Sequence, residues 1–100
     1  MKILITAATT SLAHKLKNQL INAEVVLGDH IDLPAFMQKN IIKLPNPASD
    51  TYTHEMLALC LDNGIDELHA LTRDEAATLL LSKQLFKEYN ITIINGSHTV

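Results

Sequence analysis

Lys2 to Ala13 reads KILITAATTSLA, and it constrains the fold more than any other stretch of the chain. A short apolar run, Ile3, Leu4 and Ile5, meets a turn of small residues, Thr6 to Ser11, which feeds a helical pattern. Strand, turn and helix in that order open a nucleotide-binding α/β unit, whose turn and helix N-terminus face the ligand. The dinucleotide fingerprint would put glycines where this chain has Ala7, Thr10 and Ala13. The architecture is announced while its usual chemistry is withheld.

The remaining residues set the size of that architecture. One hundred residues suffice for one domain, 1–100, and are too few for two. A chain 47% hydrophobic and 19% charged fits a buried α/β core. A net charge of −3, with no basic stripe, argues against a nucleic-acid partner. No apolar run approaches the roughly 20 residues that cross a bilayer, so no membrane partner is expected. The start does not resemble a signal peptide, and Cys60, the one cysteine, suits a reducing cytoplasm.

Strands are expected at Ile3–Thr6, Glu24–Leu27, Ile41–Leu44, Leu68–Leu71 and Ile91–Ile94, from short apolar runs bounded by turn residues. Helices are expected between them. The first is capped by Thr10 or Ser11 and buries Leu12, Leu16 and Leu20. The second runs from Tyr52 to Asn63, with Asp50 placed to cap it and Gly64 to stop it. The last opens on the T-x-x-E box of Thr72 to Glu75, runs to Asn90, and carries Ala77, Leu81, Leu85 and Tyr89 along one face. Ile31 to Asn40 reads as an irregular or one-turn helical segment with Pro34 at its start. Alternating strands and helices predict an α/β fold: a three-layer α/β/α, Rossmann-like half around a parallel sheet of about five strands in the order 3-2-1-4-5.

In such sheets a ligand sits at the carboxyl ends of the strands, where the strand order reverses. That point falls between the first turn and the turn after the fourth strand, with the end of the second strand nearby. The candidate substrate-binding residues are therefore Thr6, Ala7, Ala8, Thr9, Thr10, Ser11, Asp29, Thr72, Arg73 and Asp74. The hydroxyls of Thr6, Thr9, Thr10 and Ser11 either bind a small carboxylate or phosphate or only cap the helix. Asp29 either reads a ribose hydroxyl or bonds its neighbouring backbone amides. Arg73, the chain's single arginine, offers a planar fork for an anion; its plain alternative is a solvated first-turn residue. Thr72 and Glu75 are explained by the capping box.

No catalytic residue and no metal ligand is expected. His14, His30, His54, His69 and His98 show no zinc spacing, and His69 reads as a hydrogen-bonded residue inside a strand. Cys60 lacks a histidine on its own helix face.

The pieces Leu44–Pro45, Asp50-x-Tyr52, Leu57-x-x-Cys60, Asn63–Gly64–Ile65–Asp66 and Leu71–Thr72-x-Asp74–Glu75 carry a resemblance. Over nearly its whole length the chain resembles the N-terminal, pre-ATP-grasp domain of ATP-grasp ligases of the carbamoyl-phosphate-synthase-like and biotin-carboxylase-like kind. The resemblance implies a domain that helps to hold a small-molecule acceptor substrate and packs on an ATP-grasp domain in the same or a companion chain. It implies no cofactor in this domain, and ATP and magnesium for the full-length ligase, of which this would be the N-terminal piece, inactive alone. A homodimer is admitted as a further partnership. The first thirty residues are also similar to NAD(P)-binding epimerases and reductases of the short-chain type, with the glycines replaced. A ligand-free docking module is the third reading.

Overall fold

Lys2–Ile5 forms β1, the central strand of the sheet, with Leu4 and Ile5 fully buried. This computed structural model describes residues 1–8, 10–20, 22–31, 34–36 and 41–96. After β1 come α1 (Ser11–Gln19), β2 (Glu24–Asp29), β3 (Ile41–Lys43), α2 (Tyr52–Asp62), β4 (Glu67–Ala70), α3 (Arg73–Leu80), α4 (Lys83–Glu88) and β5 (Thr92–Asn95). The five strands are all parallel, in the order β3-β2-β1-β4-β5, as the alternation of elements predicts. None of the described helices is long and apolar enough to cross a membrane.

Alternate residues of each strand serve opposite faces of the sheet. On one face Leu4, Leu68 and Ile93 meet Tyr52, Met56 and Cys60 of α2, Leu79 of α3 and Phe86 of α4. On the other, Ile3, Ile5 and Leu27 meet Ala13 of α1, with Leu12, Leu16 and Leu20 packed against them and only partly covered. The apolar run Met56–Leu61 has no clear period in sequence, and packing selects one: Tyr52, Met56, Leu57 and Cys60 face inward while Leu61 stays exposed. Burial in that core pushes the Cys60 thiol up to about 12.

β2 runs two residues past its expected end because β3 pairs with its carboxyl half, Leu27 to Asp29. Gly28 is required there: a Cβ would lie 2.7 Å from Cγ and Cδ2 of the buried Leu44. Gly64 has φ +65°, the left-handed stop expected of it, and Asn90, which closes the last helix, takes the same form at φ 64°.

Three expectations need correction or limits. The last helix is not continuous. It breaks at Leu81–Ser82, where the Ser82 N–H donates to the Leu79 carbonyl at 2.9 Å, and α4 restarts at Lys83. The inward face is Ala76, Leu79 and Phe86, at spacings of three and seven, while Leu81 is 88% and Tyr89 50% exposed. Of the stripe at spacing four only Leu85 packs partly against the core, and Ala77, Leu81 and Tyr89 face outward. Asp50 does not cap α2; Thr51 occupies the cap position. The hydroxyls of Ser49 and Thr51 both donate to Glu55 Oε2 at 3.0 Å, and Thr51 makes no side-chain bond to the helix amides. Of Ile31 to Asn40, the described Pro34 to Phe36 leave Phe36 exposed, and Leu33 and Met37 to Asn40 lie outside the described residues.

Candidate functional site

The first turn is anchored on both sides. Thr6 is fully buried; its backbone N–H donates to the His69 carbonyl at 3.1 Å, and its hydroxyl oxygen accepts the Leu71 N–H at 3.0 Å. These bonds carry the β1–β4 pairing past the ladder and draw the two strands together at the point where the strand order reverses. The Ala8 N–H donates to the Gly28 carbonyl at 3.1 Å, fixing the turn to β2. Between them Ala7 takes φ 52°, a conformation that costs an alanine about 1–2 kcal/mol. The turn has a glycine's shape without the glycine.

Thr6 gives a direct test. Thr6→Val keeps the volume but strands the buried Leu71 N–H, and should lower stability by about 1–3 kcal/mol in urea unfolding. Thr6→Ser should keep most of it. An unchanged midpoint for Thr6→Val would contradict the bond's structural role.

The other candidates line the same carboxyl edge. Thr10 caps α1: its hydroxyl donates to the Ala7 carbonyl at 2.8 Å and accepts the Ala13 N–H at 3.3 Å. Ser11 is exposed at the first position of α1, and Thr9 lies outside the described residues. Asp29 is buried, and its Oδ1 accepts from the His30 N–H at 2.8 Å and the Ile31 N–H at 3.5 Å. Its backbone-bonding role is thus present. Thr72 caps α3, accepting the Glu75 N–H at 3.3 Å, and Arg73 and Asp74 are exposed in the first turn beyond it. Topology therefore gathers the candidates at the ends of β2, β1 and β4, with Thr10, Ser11, Arg73 and Asp74 presented to solvent.

Sequence reasoning missed the buried polar pair beneath this rim. Glu75 is 1% exposed, and its two carboxyl oxygens accept from Thr72 Oγ1 at 2.9 Å and Tyr52 Oη at 3.2 Å. The capping box is modified: glutamate takes the cap's hydroxyl proton, where the usual box reaches the cap's backbone N–H. Burial raises the Glu75 carboxyl above its ordinary range, with Asp29 adding to the rise. The Thr72 and Tyr52 hydrogen bonds and His30 oppose it. Burial, then the Glu75 charge, pushes the Tyr52 phenol far up. Tyr52 and Glu75 lie 23 residues apart, so no local spacing could have paired them. The strand histidine, His69, is bonded to Glu67 at 3.1 Å as expected of a satisfied residue.

No protein-family model matches the chain, and no curated protein matches it. Solved structures do. The structure of glycinamide-RNase-transformylase T from Mycobacterium tuberculosis matches 93% of this chain with a TM-score of 0.60 and 14% sequence identity. This chain spans 28% of the length of that one. At such identity the likeness is one of fold.

Chemically, the edge joins two features of opposite character. Two helix N-termini, α1 and α3, bring hydroxyls and Arg73 to the solvent side, where an anion is favoured. Beneath them lie two buried carboxyl groups, Asp29 and Glu75. Among the described residues, which exclude His98, no group of three or more His, Cys, Asp or Glu is placed to hold a metal ion.

Proposed function

We propose that this chain is the substrate-side N-terminal domain of an ATP-dependent ATP-grasp ligase, of the carboxylate–amine or carbamoyl-phosphate-synthase-like kind. The observation that carries the proposal is the fold match, over nearly all of this chain, to part of the much longer transformylase T. The sequence pieces from Leu44 to Glu75 point the same way. In this reading the domain works in the cytoplasm and holds a small acceptor at the carboxyl edge. Arg73 and the hydroxyl of Ser11 face its anionic group, with Thr10 holding the turn behind them. ATP and magnesium belong to the ATP-grasp domain, in the same or a companion chain, and the 100 residues alone turn over no ATP.

Arg73→Ala in the intact ligase is expected to raise the acceptor KM by about 10- to 100-fold, the worth of one hydrogen bond to a charged group, with kcat little changed. An unchanged KM would leave Arg73 a surface residue and remove the anion site from the proposal. The left-handed Ala7 keeps the NAD(P)-binding reading in play, because the turn retains the shape that a pyrophosphate uses. Against it stands Thr10, whose β-branched side chain folds back on Ala7 where a glycine would leave the backbone open.

A further inference from the structure

Glu75 is a carboxyl group buried at 1% exposure whose hydrogen-bond partners are hydroxyls from two different helix starts. Thr72 is the N-cap of α3, and Tyr52 is the first residue of α2. One side chain therefore bridges the openings of both helices, directly below the rim that carries Thr72, Arg73 and Asp74. The groups facing it are few. α2 contributes Tyr52, itself 1% exposed, and the end of β2 contributes Asp29 and His30. His30 favours the ionised carboxylate and Asp29 opposes it, while their own separation is 3.6 Å, so the two partly offset one another. Arg73 and Asp74, on Glu75's own helix, point to solvent.

Two hydroxyl donors help to hold a carboxylate, but they replace only part of the hydration that burial removes. A neutral carboxyl in the same place keeps both bonds, since either hydroxyl can rotate to accept the acid proton. The closed arrangement thus prefers the protonated group, and an open one, with Glu75 in water, has no such preference.

We infer that Glu75 is a proton-operated latch: carrying its proton it holds the first turns of α2 and α3 together, and losing the proton frees Thr72 and the start of α3 toward solvent. The inference stands on Glu75's own contacts and not on what the rim binds. The sign follows from linkage. The folded-state affinity for the proton is raised, so the latch is fully closed below the ordinary value of 4.5 and weakens as the pH climbs through the higher, folded-state value.

The test is amide hydrogen exchange on the intact chain, corrected for intrinsic rates, from about pH 4 to about pH 8. The Glu75 and Ala76 amides, both bonded to Thr72, should lose protection by up to about tenfold per pH unit at the steepest point, the slope of one linked proton. The Ala13 amide, capped by Thr10, should not follow them. Glu75→Gln, neutral at every pH, should abolish the dependence. Flat protection in the wild type, or the same fall in Glu75→Gln, would overturn the latch. Should Glu75→Gln fail to fold, Tyr52→Phe supplies the test through carboxyl-carbon NMR. Loss of the phenol donor should move the Glu75 midpoint further up, and a midpoint that stays put or falls contradicts the inference. So does a wild-type midpoint at or below 4.5.

Discussion

Phe86→Ala is expected to destabilise the chain by about 3–5 kcal/mol, the cost of removing a large, fully enclosed aromatic side chain. Phe86 has no solvent exposure and belongs to the core formed by Leu4, Leu68 and Ile93 with α2 and α3. It is also what fixes α4. This helix is only six residues long and starts after the break at Leu81–Ser82, so its position depends on packing and not on its own helical stability. The paired control is Leu81→Ala. Were the last helix continuous, with Ala77, Leu81, Leu85 and Tyr89 inward, Leu81 would be the costly position. With Leu81 88% exposed, its truncation should stay within about 0.5 kcal/mol of the wild type. Urea unfolding of the two variants separates these two inward faces, and a reversed order would contradict the observed one.

Gly28→Ala should cost about 1–3 kcal/mol, although it adds a single methyl group. The strand conformation at Gly28 suits alanine, so the penalty is steric. The new Cβ would sit 2.7 Å from both Cγ and Cδ2 of Leu44 and 2.9 Å from Cδ1. Cγ is close to the backbone and Leu44 is itself 2% exposed, so making room requires the enclosed side chain to shift within the core. Leu44→Ala alone should also destabilise, by leaving a cavity. Combined, the two substitutions should cost less than the sum of their separate effects, because each relieves the other. A double-mutant cycle with no coupling would show that Leu44 is not what excludes a side chain at Gly28.

These two positions show where sequence reasoning reached and where it stopped. The strand order was legible because short apolar runs alternate with helical stretches, and right-handed crossovers leave few ways to arrange them. Local stops and caps were legible too: Thr10, Thr72, Gly64 and Asn90 act through neighbours within a few residues. The α3–α4 break was not. Leu79, Leu80, Leu81 and Leu85 fit more than one helical face, and only the fit of Phe86 against the sheet chooses between them. Asp50 was a reasonable cap by residue type, but Ser49, Thr51 and Glu55 satisfied one another first. The candidate rim followed from topology, and all of its described residues stand on the carboxyl edge. Its internal bonds were beyond sequence reach. Thr6 meets Leu71 across 65 residues, and Tyr52 meets Glu75 across 23. Neither pairing leaves a local pattern.

The proposed function is tested most directly by a chemical-shift titration of the isotope-labelled chain, run in parallel with NADPH and with small phosphorylated or carboxylated amines. A substrate-side ligase domain should leave NADPH unbound. The small anions should shift amides in the first turn, 6–11, and in Thr72 to Asp74, and Arg73→Ala should remove the response. Micromolar binding of NADPH, or anion shifts confined to other surfaces, would contradict it.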